Sequence, residues 1–184
     1  MSLIVRKNTL GLIIGSLLAT TGLAHAADTA QIDITATVEA NTCTLESGSK
    51  QQGVDLGHVA IDKLKAGTTP EKAFSLQLTG CSDSASKVIV TSTSEAAAEG
   101  SDAFKVTDAA SETDAKGVGV KIMGGDDTKT TLVPGGEGVE YNLDLTGGND
   151  IPLDFTAQLV TVGDVNAVSA GAVNGAVTLN LEYQ

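Results

Sequence analysis

Both ends of the chain alternate between apolar and polar residues without a break. From Thr29 to Ala40 the even positions are Ala30, Ile32, Ile34, Ala36, Val38 and Ala40, and the odd positions are Thr29, Gln31, Asp33, Thr35, Thr37 and Glu39. At the other end Val177, Leu179, Leu181 and Tyr183 share one parity, and Ala176, Thr178, Asn180 and Glu182 the other. Successive side chains of a strand point to opposite faces, so each end reads as a long strand with one face made for burial. The same period recurs at Phe74–Leu78, Lys87–Val90, Val118–Ile122 and Ile151–Val160. Gly124-Gly125-Asp126-Asp127, Pro134-Gly135-Gly136 and Gly147-Gly148-Asn149-Asp150 supply turn signals between them. The Ala-, Ser- and Glu-rich stretch from Ser94 to Ala115 reads as a long loop with room for a helical turn. Many short strands with frequent turns predict an all-β sandwich.

The N-terminus carries an export signal. Arg6 and Lys7 precede an uncharged apolar run from Leu10 to Leu23, which ends in Ala24-His25-Ala26. A transmembrane helix needs about 20 apolar residues, and this run is shorter. The small-x-small ending is a cleavage signal, so residues 1–26 are expected to be a signal peptide and Ala27 the mature start. The alternative is an uncleaved anchor helix, which the length disfavours.

Cysteine usage agrees with export. Cys43 and Cys81 are the two cysteines of the chain, and an even count in a secreted protein reads as a disulfide. Closing that loop would stabilise the fold by roughly 4 kcal/mol in the chain-entropy model. Removing the signal peptide with Arg6 and Lys7 takes the formal charge from −12 to −14. So acidic a chain is a poor partner for nucleic acid or an anionic membrane, and no second apolar stretch would insert into a bilayer after cleavage.

Little points to catalysis. His58 is the one histidine past the signal peptide, and no G-x-S-x-G motif occurs. His58 therefore reads as structural, and no enzyme activity or cofactor is expected. Asp126 and Asp127 are adjacent carboxylates in a Gly-rich loop, whereas a calcium loop spaces its oxygens more widely. They read as a solvated turn, with no metal. Aromatic residues make up only 3% of the chain, poor material for a binding hot spot.

The N-terminal strand is out of place in its own domain. Residues 27–36 begin at the cleavage site and precede the first cysteine. Chain termini are loose unless tied into a sheet, and a loose terminus has no use for apolar residues in register. The pattern predicts burial in another copy.

These residues together resemble a structural pilin of the bacterial chaperone–usher pathway, near the type 1 fimbrial group. Val54-Asp55-Leu56-Gly57-His58-Val59 is similar to the V-x-L-G-x-V segment of that family. Phe74-Ser75-Leu76-Gln77-Leu78 with Cys81 resembles the strand leading to its second cysteine. Gly117-Val118-Gly119-Val120 and Asn149-Asp150-Ile151-Pro152-Leu153 resemble its N/G-V-G-V and N-x-I-P-F segments. Gly171 and Tyr183 stand where the family's terminal motif has a glycine and a penultimate aromatic. The chain departs from the family at Ala30 and Ala36, where glycine is frequent, and at Phe155–Leu159, which lacks the usual Ala-Arg-Tyr.

The resemblance implies an immunoglobulin-like sandwich, residues 37–184, that lacks its final strand. It further implies a donor strand at 27–36 that completes a neighbouring subunit, so that copies join head-to-tail in an extracellular fimbria. Ala30, Ile32, Ile34, Ala36 and, at the boundary, Val38 would enter the neighbour. Gly171, Val173, Val177, Leu179, Leu181 and Tyr183 would form the receiving side, with the small Gly171 leaving room for the incoming strand. A periplasmic chaperone would occupy that side first and an outer-membrane usher would promote the exchange. The expected role is the major shaft subunit; the alternatives are a minor or adaptor pilin, or a single-domain adhesive module.

Overall fold

The computed structural model describes residues 43–106 and 113–184. The expected signal peptide, the 27–36 extension and the donor positions Ala30, Ile32, Ile34, Ala36 and Val38 lie outside the described residues. Nine strands and one α-helix follow in chain order among the described residues. They are β1 (Thr44–Leu45), α1 (Ile61–Lys65), β2 (Glu71–Thr79), β3 (Lys87–Ser92), β4 (Phe104–Lys105), β5 (Val118–Gly124), β6 (Thr130–Thr131), β7 (Val139–Asn142), β8 (Ile151–Thr161) and β9 (Leu179–Tyr183).

The strands form two sheets. One runs β1-β2-β8-β5-β4, with β6 also on β5; the other runs β7-β3-β9. Every named pairing is antiparallel, and the longest ladder joins β2 to β8 from Glu71↔Gln158 to Leu78↔Ile151. Each long strand buries alternate residues, as its sequence period requires. In β8, Leu153, Phe155, Ala157 and Leu159 are buried. In β3, Val88, Val90 and Ser92 are buried, and the Ser92 hydroxyl donates to the Thr178 carbonyl.

The core lies between the sheets around Leu78, Val88, Val90, Phe104, Leu132 and Phe155, each essentially inaccessible to solvent. Side chains of this kind contribute roughly 1.5–3 kcal/mol each on burial. The Phe155 ring stacks on Phe74 at 5.3 Å and meets the edge of Tyr141 at 5.4 Å. A Cβ at Gly124 would stand 2.7 Å from the Phe155 ring, so this strand position has room for glycine alone. A second, smaller cluster gathers Leu64, Val106, Ala115, Val118, Leu159 and Val168.

The disulfide joins Cys43, just ahead of β1, to the buried Cys81, just past β2. The Gly124–Asp127, Pro134–Gly136 and Gly147–Asp150 segments fall in connections between strands, apart from Gly124 itself, which ends β5. The stretch 94–106 carries β4 and an Ala96↔Phe104 bridge and has no helix among its described residues. The helix is instead at Ile61–Lys65, closed by Gly67 at φ 66°. Five residues are too few to show a 3.6-residue period, and the glycine past its end was the only available signal.

Candidate functional site

A long groove of about 1280 Å³, apolar along its floor and mixed along its walls, runs along one side of the sandwich. Its floor is made by inward-facing residues of three neighbouring strands: Phe74 and Leu76 of β2, Val120 and Ile122 of β5, and Ala157 and Leu159 of β8. One wall is the chain from Gly171 to Thr178, continuing into β9 with Leu179 and Leu181. The opposite wall is the extended segment 50–59, which presents Val54, Leu56 and Val59. The Val and Leu side chains of these walls are only half-buried, unlike the sealed residues of the core.

The backbone along the first wall is equally distinctive. Gln184 and Lys87 exchange both backbone hydrogen bonds, at 2.9 and 3.1 Å. Antiparallel pairs alternate between bonded and non-bonded. In the register Glu182↔Ile89 and Asn180↔Thr91, the even residues of β9 therefore direct their N–H and C=O groups at β3. Those of Leu179, Leu181 and Tyr183 point the other way. Thr178 keeps the same parity: its N–H donates to Ser94 Oγ and its carbonyl accepts from Ser92 Oγ, both at 2.8 Å. Among the described residues no strand pairs with the outer edge of β9. The groove thus offers apolar side chains and a row of backbone donors and acceptors together, which is what an added strand requires.

Each sequence-predicted residue of the receiving side has a defined place. Gly171, Val173, Val177, Leu179 and Leu181 line the groove. Tyr183 does not line it; it packs half-buried against the main core, paired with Val88, and burial raises the pKa of its phenol. Gly171 has a different requirement from the expected clearance for an incoming strand. A Cβ there would fall 2.2 Å from the Ala115 nitrogen and 2.3 Å from the Asp114 carbonyl carbon. The glycine lets the backbone of Ala172 pair with Thr113 and Ala115, at 3.0 Å each, and so anchors the start of the wall.

The opposite wall escaped sequence reasoning. Its alternation at Val54 and Leu56 slips by one residue before Val59. Gly57, at φ 68°, makes the kink, and its N–H is held by Asp55 Oδ1 at 2.8 Å. The V-x-L-G-x-V pattern was the available signal. His58 is exposed on this wall. Asp126 accepts from the backbone and side-chain N–H groups of Asn142, and Asp127 Oδ1 accepts from the Lys129 N–H. Both carboxylates therefore stabilise turns. No group of metal-ligating side chains occurs among the described residues, and no described helix is long and apolar enough to cross a membrane.

Comparison with known proteins agrees with this geometry. A family model described as Fimbrial protein matches residues 32–184. The chain is 32% identical over 156 residues to the uncharacterized fimbrial-like protein YcbV of Escherichia coli K12, covering 83% of this chain and 84% of that one. It is 33% identical over 95 residues to the Escherichia coli fimbrial protein 987P, covering 51% and 48% of the two. Among solved structures it superposes on the P pilus rod subunit PapA with a TM-score of 0.64 at 22% identity, covering 78% of this chain and all of that one. A subunit in the structure of a chaperone–usher pilus gives a TM-score of 0.64 at 21% identity, over 85% and 96% of the chains. The fold is thus the incomplete immunoglobulin-like sandwich of chaperone–usher pilins, and the chain belongs to the fimbrial protein family, a structural pilin subunit and not an enzyme.

Proposed function

We propose that this pilin polymerises by donor-strand exchange, each copy inserting residues 27–36 into the groove of the next. The observation that carries this reading is the groove itself: apolar side chains from both walls lie beside the outward-facing N–H and C=O groups of β9. The complementary piece is the alternation at Ala30, Ile32, Ile34 and Ala36, continuing to Val38. Side chains at these positions fill the groove while the polar positions face away, and main-chain bonds at about 0.5–1.5 kcal/mol each add to the burial. The surface donated and the surface receiving are different, so the contact repeats head-to-tail and grows a filament.

A bare β edge beside an apolar groove is an aggregation hazard before assembly. The reading therefore includes export through the periplasm after cleavage at Ala26, capping of the groove by a periplasmic chaperone, and release at an outer-membrane usher. The assembled product is an extracellular fimbria, with this chain as its major shaft subunit. The likeness to a rod subunit supports a shaft role: the chain superposes on PapA with a TM-score of 0.64 and on the CupB6 tip adhesin of Pseudomonas aeruginosa with the lower TM-score of 0.57. Scarce aromatic residues also speak against an adhesive surface.

Deleting residues 27–36 tests the reading. The shortened subunit is expected to accumulate bound to chaperone and to form no fibres. Fibres of normal length and number from the deletion variant would overturn donor-strand exchange. Loss of the whole filament without this chain, seen by electron microscopy, would establish the shaft role; loss of tip structures alone would make it an adaptor.

A further inference from the structure

The Asn174-Gly175 step is the single Asn-Gly pair in the chain, and it lies on the groove wall between Val173 and Val177. We infer that Asn174 is a site of spontaneous deamidation, and that its isoaspartyl product disables the groove of a subunit that has not yet assembled. The inference rests on the donor-strand reading for its consequence, though not for the chemistry.

Three features of the site favour the reaction. Asn174 and Gly175 are both exposed and lie outside any helix or strand. The wall is tethered on either side of them, at Ala172 through Thr113 and Ala115 and at Thr178 through Ser92 and Ser94. The step thus sits in the span between two anchors rather than within a ladder. Glycine follows the asparagine, so no Cβ hinders the approach of the Gly175 nitrogen, and its backbone is the most permissive of any residue. That nitrogen attacks Asn174 Cγ, the amide nitrogen leaves as ammonia, and a five-membered imide forms. Water then opens the imide at either carbonyl, leaving an aspartyl or an isoaspartyl residue.

The position makes the product consequential. An isoaspartyl link routes the main chain through Cβ and lengthens it by one atom. The Val173 side of the wall then falls out of step with Val177 and Leu179, although the acceptor face depends on their common parity. Either product also adds a negative charge beside an apolar groove. A subunit held by a donor strand has this wall pinned in one conformation, which opposes the bending that imide formation needs.

The test follows the purified full chain, its groove uncapped, through prolonged incubation at neutral pH beside a synthetic peptide of residues 170–180. Peptide mapping and isoaspartyl methyltransferase labelling are expected to show amide loss at Asn174 within the time the peptide takes to convert fully. Gly175→Ala should slow it by about tenfold, because the methyl group crowds the attacking nitrogen. That variant keeps the fold, since its Cβ would meet Val106 at an ordinary 3.5 Å and Gly175 is not in the left-handed region. An intact Asn174 amide in the chain after full conversion of the peptide would overturn the site. Converted chains are expected to be depleted from fibres grown from the aged sample. Converted and unconverted chains entering fibres equally would overturn the consequence. Failure of the donor-strand reading would look different: fresh chains lacking residues 27–36 would polymerise normally.

Discussion

The three-stranded sheet has two edges, and the sequence treats them in opposite ways. At β7 the edge is short, and Asn142, whose N–H points away from β3, has it bonded to Asp126 Oδ1 at 3.0 Å. The Asn142 side-chain amide donates to the second Asp126 oxygen. The outward-facing neighbour Glu140 is charged and paired with Lys87 at 2.9 Å. At β9 the edge meets an apolar groove, and Leu179 and Leu181 present both side chains and main chain to it. Proteins ordinarily blunt their edges with short strands, charges and local caps. The two strands are of similar length, four and five residues, but the Asp126 cap and the Glu140–Lys87 pair lie at the β7 edge. On the donor-strand reading, the capped β7 edge would leave β9 as the place where a strand is added.

The comparison breaks most visibly at β9. Replacing Leu179 and Leu181 together by Asn removes the apolar wall while keeping the backbone edge. It is expected to abolish periplasmic accumulation of the subunit, read by immunoblot of periplasmic extracts, and with it all fibres. Normal accumulation and assembly would mean that the backbone edge alone suffices and that the two edges differ only in their caps.

A smaller effect is expected at β7. Asp126→Ala uncovers the Asn142 N–H and should raise the fraction of off-pathway soluble oligomers several-fold, seen by size-exclusion chromatography at matched concentration. The loss of the hydrogen bonds themselves costs about 1 kcal/mol at this exposed site. Adding Asn142→Pro, which removes the donor, should return the oligomers to the original level. Oligomers that persist in the double variant would show that Asp126 acts only by holding its turn.

The smallest effect concerns what lies beneath β7. The buried Tyr141 hydroxyl donates to the Asp154 carbonyl at 2.6 Å, and burial pushes its phenol pKa well above the usual value of about 10. The folded state thus keeps this proton more tightly than the unfolded state. Its contribution to stability is complete below about pH 10 and is lost as pH rises beyond that, where the unfolded chain ionises first. Tyr141→Phe should cost about 1 kcal/mol at neutral pH and flatten the alkaline limb of a urea-midpoint profile. An alkaline limb of unchanged slope would assign that limb to other groups.

The long strands were legible because each has one face buried and therefore keeps a strict period of two. The segments read at 74–78, 87–90, 118–122 and 151–160 all lie within β2, β3, β5 and β8. Strands of two residues, such as β1, β4 and β6, are too short to show any period. They exist because a neighbouring long strand offers a partner. The candidate site was half legible for the same reason. Leu179 and Leu181 announce their wall by alternation, whereas Val54, Leu56 and Val59 belong to a wall that Gly57 puts out of step. Gly171 shows a further limit: its glycine answers to the backbone of residues 113–115, remote in sequence from it. Tyr183 keeps the parity of Leu181 yet does not line the groove, because parity fixes a face and not a position along it.

The Cys43–Cys81 bond would have a mechanical consequence in a filament joined by donated strands. On the donor-strand reading, tension pulled through one subunit's N-terminal extension would reach Cys43. There it meets a covalent crosslink to the far side of β2, a separation of 38 residues in sequence. The load passes directly to Cys81 and on toward β3 and β9, where the neighbour's strand would be seated. β1, α1 and β2 are shunted out of the force path, and more than about 100 Å of chain that could otherwise be drawn out stays folded. A stretched fibre would then yield between its subunits before it yields at their entry points.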